Sequence, residues 1–219
     1  MRKIGILAIA GVLAVVFAGC GGNDSSNPPP GLLGIDSPQD LSTRPLLTVV
    51  YTVPSLPTEE ITVDIYSDYL SDGDIANDPY LGFIATQWPD TGGTVFFGVD
   101  FGNPDIPYYR SFLDFPLDGS TGEPVIPLNA TVVFATLDVF VNSVYYAGTI
   151  SSNVDLVFYT PPTRLTPQAY SLEALASLPF DFYSSDQSRF VLIDVTSLMA
   201  EAQRQGFPDF QVRFAIPGY

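Results

Sequence analysis

The chain has 219 residues, of which 24 are acidic and 8 are basic, and its formal net charge at pH 7 is −16. This charge argues against nucleic acid and anionic lipid headgroups as partners, because phosphate binding depends on neutralisation by Lys and Arg. The chain has no histidine and one cysteine, which excludes Ser-His-Asp and Cys-His catalysis, a disulfide, and a zinc site built from Cys and His.

The first twenty residues predict a bacterial lipoprotein signal. Two basic residues precede an apolar run over residues 4–17, and an Ala-Gly pair stands directly before Cys20. A basic start, a short apolar run and a small-residue cleavage site are typical of a secretory signal. The cysteine after Ala-Gly makes the segment resemble a lipoprotein signal, which implies removal of residues 1–19 and acylation of Cys20, for example by palmitate. The alternative is an ordinary signal peptide in which the cysteine has no role.

The segment after Cys20 is typical of a flexible tether. Residues 21–31 are rich in Gly, Asn, Ser and Pro and lack apolar periodicity, so they do not pack. We expect residues 20–45 to be the lipidated cysteine and a linker, and residues 46–219 to be one domain. Gly21, rather than an Asp, follows the cysteine. By resemblance to enteric lipoproteins, this favours the outer membrane of a bacterial envelope, reached through the N-terminal lipid.

From residue 46 onward the chain consists of short β-branched and aromatic runs separated by Pro, Gly and Asp. Several runs alternate strictly: Ile61, Val63 and Ile65 fall on one face of an extended chain. Many short strands at near-even spacing predict a mostly β fold, an antiparallel sandwich or barrel. The candidate strands are 46–53, 61–69, 80–86, 94–101, 108–115, 130–141, 154–159, 189–195 and 210–216.

Two segments interrupt this pattern and predict one or two short helices. Thr166 and Pro167 open a stretch rich in Ala, Leu and Glu up to Ser177, and proline at the first helical position favours a helix start. The second segment begins at Asp194 and ends at Gly206. Its apolar stripe and terminal glycine predict a helix of two to three turns between the last two strands.

Three segments together resemble the DNRLRE-type domain family of secreted and surface proteins. Residues 109–117 are similar to the family's R-x-x-L-x-F-D strand, and residues 125–140 to its I-x-x-A-x-L-x-L-x-V strand. Residues 190–198, followed by 203–214, are similar to its D-V-T turn and helix and the Q-x-R-x-x-F strand. The resemblance covers roughly residues 61–216. It implies a jelly-roll-like β-sandwich, comparable to carbohydrate-binding modules, and no catalytic residues.

The chain departs from the family pattern in two places. Pro116 follows Phe115 where the family has Asp. The family also carries further strands after the segment that matches residues 210–216. We therefore expect either that the strand at 46–53 closes the sandwich, or that the sequence is shortened and leaves an open sheet edge at which a partner could pair.

The densest group of acidic residues predicts a calcium site. Five oxygen-bearing side chains surround Gly73, and Ca²⁺ takes six to eight oxygen ligands. The alternative is a solvated, turn-rich acidic loop. The candidate ligands are Asp68, Asp72, Asp74, Asn77 and Asp78.

Aromatic residues offer a candidate sugar-binding surface. Adjacent tyrosines in a strand point to opposite faces, so one of each pair points outward. An exposed ring can stack on the C–H face of a sugar, and the alternative is packing at the edges of the core. The candidates are Tyr66, Tyr69, Trp88, Tyr108, Tyr109, Tyr145 and Tyr146.

Carboxylate pairs are the remaining catalytic possibility, because the only lysine, Lys3, lies in the signal. A glycosidase needs two carboxyls about 5–5.5 Å or about 6.5–9.5 Å apart. The candidates beside strands are Asp64, Asp114, Asp138 and Asp155, and no motif joins them. Arg110 and Arg213 are expected to pair with carboxylates such as Asp114 or Asp194.

Together these patterns predict a lipid-anchored, extracytoplasmic surface domain that is not an enzyme and that binds a glycan or a protein partner. The alternatives are a carboxylate-based glycoside hydrolase and a purely structural component of the cell envelope.

Overall fold

The computed structural model describes residues 30–160 and 164–218, so the predictions for the signal and for Cys20 lie outside the described residues. The described chain forms twelve strands and one α-helix. The elements are β1 (Leu32–Asp36), β2 (Leu46–Val53), β3 (Leu56–Tyr66), β4 (Gly73–Asp78), β5 (Gly82–Gln87), β6 (Thr94–Val99), β7 (Tyr108–Pro116), β8 (Thr131–Tyr145), β9 (Thr149–Val157), β10 (Ala176–Tyr183), β11 (Arg189–Asp194), α1 (Thr196–Gln205) and β12 (Asp209–Ala215).

All twelve strands join one curled, antiparallel sheet that folds into two layers. In one layer the order is β5-β4-β7-β12-β9-β10. In the other, β8 pairs with β11 on one side and with β2 on the other, and β3 pairs with β2. Strands β1 and β6 connect β8 to β7. The prediction of a mostly β, antiparallel sandwich with few helical residues is confirmed.

The core lies between the two layers and is built by strand alternation. Val212 and Phe214 of β12 face inward with Leu113 of β7 and Leu137 of β8, and all four are fully buried. The ring of Phe97 stacks on that of Phe214, with centroids 5.5 Å apart. Each such buried side chain stabilises the fold by about 1.5–3 kcal/mol.

The first strand corrects the predicted domain boundary. β1 pairs with both β6 and β8, and its Leu33 and Ile35 are fully buried. The assignment of residues 20–45 to a linker is therefore wrong from about Gly31 onward. The apolar run is short and contains Gly34, which weakens its strand pattern. That glycine is needed because a Cβ there would lie 2.8 Å from the Ser143 hydroxyl.

The remaining differences between the predicted and the observed elements come from strand pairing. β4 forms inside the predicted acidic loop, and β10 forms where the first helix had been predicted to end. That helix is reduced to a 3-10 turn at Pro167–Ser171, because the chain after it pairs with β9 along its whole length. The second helix is confirmed as α1, and Gly206 ends it with a left-handed φ of 70°.

Residues 159–160 and 164–172, which we call the covering segment, pack on the outer face of the layer that contains β4 and β7. Tyr159, Leu165 and Tyr170 pack over Ile75 and Phe112 in a second, smaller apolar cluster. Within residues 30–160 and 164–218, no helix is long and apolar enough to cross a membrane.

Candidate functional site

Three exposed aromatic rings lie together at one end of the sandwich, and we call them the aromatic platform: Phe101, Tyr145 and Tyr146. Their exposed fractions are 45%, 47% and 49%. The two tyrosine rings are 5.9 Å apart and inclined by 38°. Phe101 stands edge-on to Tyr146 at 5.9 Å. The platform therefore offers two inclined ring surfaces to solvent.

Two loops position these rings. Tyr145 ends β8 and Tyr146 begins the turn into β9, while Phe101 belongs to the loop between β6 and β7. The Tyr146 hydroxyl donates to Oδ1 of Asp100 at 3.2 Å, and the Gly102 N–H donates to the same oxygen at 2.9 Å. A Cβ at Gly102 would lie 2.3 Å from the Tyr146 hydroxyl oxygen. A side chain at this position would therefore displace the Tyr146 hydroxyl from Asp100.

The backbone at this end of the molecule is strained. Tyr146 has a φ of 67° and Ile106, in the same loop as Phe101, has a φ of 49°. Left-handed conformations of this kind cost about 1–3 kcal/mol for residues other than glycine, and they concentrate at functional sites. The left-handed backbone of Tyr146 and Ile106 therefore marks this end of the molecule as a candidate site.

The structure separates the seven aromatic candidates into two groups. Only Tyr145 and Tyr146 are exposed, and the other five are partly buried. Among those five, Tyr69 packs edge-on against Trp88, and Tyr109 against Phe96. The sequence pattern does not mark Phe101 as a surface ring, because it extends the predicted strand over residues 94–101, whereas β6 ends at Val99.

A second feature, which we call the acidic pocket, lies at the C-terminal end of β7. It has a volume of about 260 Å³ and is lined by the carboxyl groups of Asp68, Asp114, Asp118 and Asp209. The other lining residues are Ser71, Pro116, Ser120, Thr160 and Pro208. β7 begins beside the loop of the aromatic platform and ends at this pocket, so the two sites lie near opposite ends of a strand that is about 26 Å long at about 3.3 Å per residue.

Burial and mutual repulsion raise the pKa values of the pocket carboxyls. Burial, with the charge of Asp209 adding to it, raises the pKa of Asp114 to about 8. Burial also raises the pKa of Asp209 to about 6, with Asp118 and Asp68 contributing. Burial likewise raises the pKa of the neighbouring Asp72 to about 7, although its carboxylate accepts hydrogen bonds from the Ser37 hydroxyl and the Asp114 N–H.

Three buried polar atoms around this pocket have no hydrogen-bond partner: Oδ1 of Asp114, Nε2 of Gln211 and the hydroxyl of Tyr159. Gln211 lies directly across from Asp114 in the strand register. The Tyr159 hydroxyl interacts electrostatically with Asp114, Asp72 and Asp209. Buried polar groups are nearly always hydrogen-bonded in native structures, and here the Gln211 side chain is the donor that lies beside the Asp114 carboxyl.

The structure disperses the predicted calcium ligands. Asp74, Asn77 and Asp78 lie on β4, and Asp68 and Asp72 lie in the turn before it. Each carboxylate accepts a protein hydrogen bond, such as the one from the Phe96 N–H to Asp74 at 3.0 Å. Among residues 30–160 and 164–218, no group of three or more acidic residues is arranged to hold a metal ion. The calcium site stays a prediction.

The candidate catalytic carboxylates also lie apart. Asp155 forms the ion pair with Arg213, at 2.6 Å, and neither Asp114 nor Asp194 is that partner. Asp64 accepts a hydrogen bond from the Thr48 hydroxyl, and Asp138 is half-buried on β8. Of the four, only Asp114 lines the acidic pocket.

The two predicted arginine pairings differ in the structure. Arg213 pairs with a carboxylate as expected, but that carboxylate is Asp155 and not Asp114 or Asp194. Arg110 donates to the carbonyl of Tyr170 at 2.5 Å and lies 4.2 Å from the centre of that ring. Asp194 accepts hydrogen bonds from the backbone and hydroxyl of Thr196 at the start of α1.

Comparison of the chain with protein-family models, with curated proteins and with solved structures finds no match.

Proposed function

We propose that the chain is a lipid-anchored domain of the bacterial envelope, on the outer membrane, that binds a glycan through the aromatic platform and is not an enzyme. The observation that carries the proposal is the exposed cluster of Phe101, Tyr145 and Tyr146, in which Tyr146 has a left-handed backbone conformation. The DNRLRE-type resemblance supports it, because that family is compared with carbohydrate-binding modules. The lipoprotein-like signal supports the anchor at Cys20.

The chemistry of the aromatic platform suits a sugar chain. Exposed ring faces of Tyr145 and Tyr146 can stack on the C–H faces of neighbouring sugar units, and a tyrosine hydroxyl at the rim can hydrogen-bond sugar hydroxyls. The second carboxylate oxygen of Asp100, beside Tyr146, is a further acceptor for a sugar hydroxyl. Because stacking is insensitive to charge, the acidic surface does not oppose a neutral glycan.

We expect the full chain, purified in detergent micelles, to bind at least one class of glycan on an array. Tyr145→Ala and Tyr146→Ala each remove a stacking surface and should weaken that binding about tenfold, which corresponds to about 1.4 kcal/mol. Gly102→Ala should weaken it too, because the added Cβ displaces the Tyr146 hydroxyl.

The matched control is Tyr80→Ala, which removes a tyrosine that is 80% exposed in the turn between β4 and β5. Binding to no glycan, or an equal loss in the Tyr80 variant, would contradict the proposed platform. Release of reducing ends from a bound glycan would instead favour the hydrolase alternative.

The anchor is tested separately by mass spectrometry of the protein produced in a bacterial host. We expect the mature protein to begin at Cys20 and to carry acyl chains. The Cys20→Ser variant lacks the thiol that is acylated and should carry no lipid mass. Equal masses for the two proteins, apart from the substitution itself, would contradict lipid anchoring.

A further inference from the structure

We propose that residues 79–84, which we call the apolar tip, contact the zwitterionic lipid surface to which the chain is anchored. The sequence of the tip is Pro-Tyr-Leu-Gly-Phe-Ile, and all six residues are exposed. They form the turn between β4 and β5 and the start of β5. The inference rests on the proposed anchor at Cys20, and it goes beyond glycan binding because none of these residues belongs to the aromatic platform.

The apolar tip is unusually exposed for its composition. Tyr80 is 80% exposed and Leu81 is 75% exposed, the two highest values among the large apolar side chains of residues 30–160 and 164–218. Phe83 and Ile84 follow at 43% and 39%. Consecutive exposed apolar residues are unfavourable in water and typically mark a surface that contacts another apolar surface. The tip is therefore a candidate contact surface.

Hydrogen bonds within the protein hold the apolar tip in place. Oδ1 of Asp78 accepts from the N–H groups of Tyr80 and Leu81, each at 2.8 Å. Gly82 then turns the chain with a φ of 78°, and β4 and β5 pair along their whole length behind it. Because these two N–H groups already have an acceptor, the turn can leave water for a lipid interface without losing hydrogen bonds.

The apolar tip lies at the end of the sandwich where the described chain enters the fold. In the strand register, Asn77 of β4 and Val99 of β6 both lie opposite Tyr108, the first residue of β7. Leu32 at the start of β1 lies opposite Gly98 of β6. The end of β4, which leads into the tip, and the start of β1 are therefore at the same end of the sheet.

This position favours lipid as the occupant of the apolar tip. Fully extended, the chain from Cys20 to Leu32 spans at most about 43 Å at about 3.6 Å per residue, so an acylated Cys20 holds the domain at the membrane. A contact between the tip and the same membrane is then intramolecular, and a high effective concentration lets a small apolar surface suffice. Tyrosine suits the headgroup level of such an interface and leucine the acyl chains below it.

Charge limits the kind of lipid and disfavours a second copy of the chain. The turns at this end, residues 78–82, 100–107 and 146–148, contain Asp78, Asp100 and Asp105 and no Lys or Arg. Anionic lipids attract basic segments, so this end suits zwitterionic headgroups instead. Two copies of a chain with a net charge of −16 repel each other, whereas a zwitterionic surface does not oppose the contact.

The apolar tip and the aromatic platform are separate surfaces at the same end. The strand order between them is β4-β7-β6-β1-β8. Four strand spacings of about 4.8 Å place β4 about 19 Å from β8 along the curled sheet. Contact of the tip with lipid therefore leaves Tyr145 and Tyr146 at a distance from that contact, and each surface can be altered without the other.

The test is quenching of tryptophan emission by brominated acyl chains in phosphatidylcholine vesicles that carry the full chain produced in a bacterial host. The single tryptophan, Trp88, follows β5 about 20 Å from Gly82 along the strand, so brominated lipid should leave the emission of the unsubstituted protein unchanged. Tyr80→Trp adds a second interfacial ring at the apolar tip. We expect brominated lipid to remove the emission that this substitution adds.

Two matched variants show whether the contact belongs to the apolar tip. Leu128 is 69% exposed in the loop before β8, at the opposite end of the sandwich. Leu128→Trp should therefore keep its added emission in brominated vesicles. In the Tyr80→Trp protein, Leu81→Asp places a charge at the tip and should abolish the quenching, whereas Leu128→Asp in the same protein should leave it unchanged.

The mass of the same preparation separates this inference from the proposed anchor. Absence of quenching in Tyr80→Trp, with acyl chains present on Cys20, overturns the lipid contact and leaves the anchor standing. Without acyl chains the anchor fails, and quenching by added vesicles then supports the lipid contact while its absence contradicts it. Equal quenching of Tyr80→Trp and Leu128→Trp overturns the inference, as does a lipid-free blue shift of Tyr80→Trp emission that grows with protein concentration, which assigns the tip to a second copy.

Discussion

The free energy of unfolding is expected to fall as the pH rises from about 5 to about 8. The cause is a set of buried carboxyls that hold their protons in the folded state. Burial raises the pKa of Asp72 and of Asp74 to about 7 and that of Asp114 to about 8, from an ordinary value of 3.8. In this range the unfolded chain has already released these protons, so unfolding becomes easier with each increase in pH.

This pH dependence of the free energy of unfolding is opposite in sign to that of ordinary acid denaturation. A raised folded-state pKa gives stability that is fully present below the unfolded value and is lost as the pH rises through the folded value. Exposed acids such as Asp118 and Asp194 have lowered pKa values through hydrogen bonds to Ser120 and Thr196. Their contribution is lost only as the pH falls below about 4. Maximal stability is therefore expected at mildly acidic pH.

Thermal unfolding measured at pH 5 and pH 8 tests this expectation. Each pKa unit corresponds to about 1.4 kcal/mol, and each kcal/mol to about 2–4 °C in a domain of this size. We expect Tm to fall by at least about 10 °C across the interval. Asp114→Asn should reduce the fall, since its amide does not titrate, whereas Asp181→Asn, which alters an exposed side chain of β10, should not. A Tm that rises with pH would contradict the buried, protonated state of these carboxyls.

Loss of Arg213 should destabilise the protein more than any surface substitution. Its guanidinium donates to Oδ2 of Asp155 through Nε at 3.1 Å and Nη2 at 2.6 Å. Nη1 donates to the carbonyls of Tyr170 and Leu172 at 3.2 and 2.7 Å. Arg213 thus fastens the covering segment to the sheet. Arg213→Met leaves Asp155 buried without its counter-charge, which costs about 3–5 kcal/mol.

Denaturant unfolding with a matched ion pair measures this effect. Arg204 pairs with Glu201 on α1, but the Arg204 side chain is 67% exposed. Arg204→Met should therefore change stability by about 1 kcal/mol or less. The double variant Arg213→Met with Asp155→Leu should recover much of the loss, because no unpaired charge remains. Equal effects of the two single arginine substitutions would show that Arg213 does not fasten the covering segment.

The sequence pattern predicts the fold class because alternation records which face of each strand is buried. In β2 and β8 the apolar residues recur at every second position, and both strands lie near their predicted bounds. β1 and β4 are not predicted as strands. Both are buried on both faces, so they show no alternation, and both contain Gly and Asp. Only the neighbouring strands, which are distant in sequence, make those segments extended.

The candidate sites are predicted less completely, because both are assembled by tertiary structure. The adjacent tyrosines at 145 and 146 are visible in the sequence, but the positive φ that turns Tyr146 outward and the approach of Phe101 are not. The acidic pocket brings Asp68, Asp114 and Asp209 together from three separate segments. No local spacing relates those residues, whereas strand register does.

If Cys20 carries the proposed anchor, the position of β1 sets the orientation of the domain relative to the membrane. Leu32 pairs with Tyr145, so the described chain enters the fold beside the aromatic platform. Under that proposal the platform lies on the anchored side of the domain and the acidic pocket on the opposite side. A glycan bound at the platform would then lie between the domain and the membrane, which would favour polymers that run along the membrane over those that approach from outside.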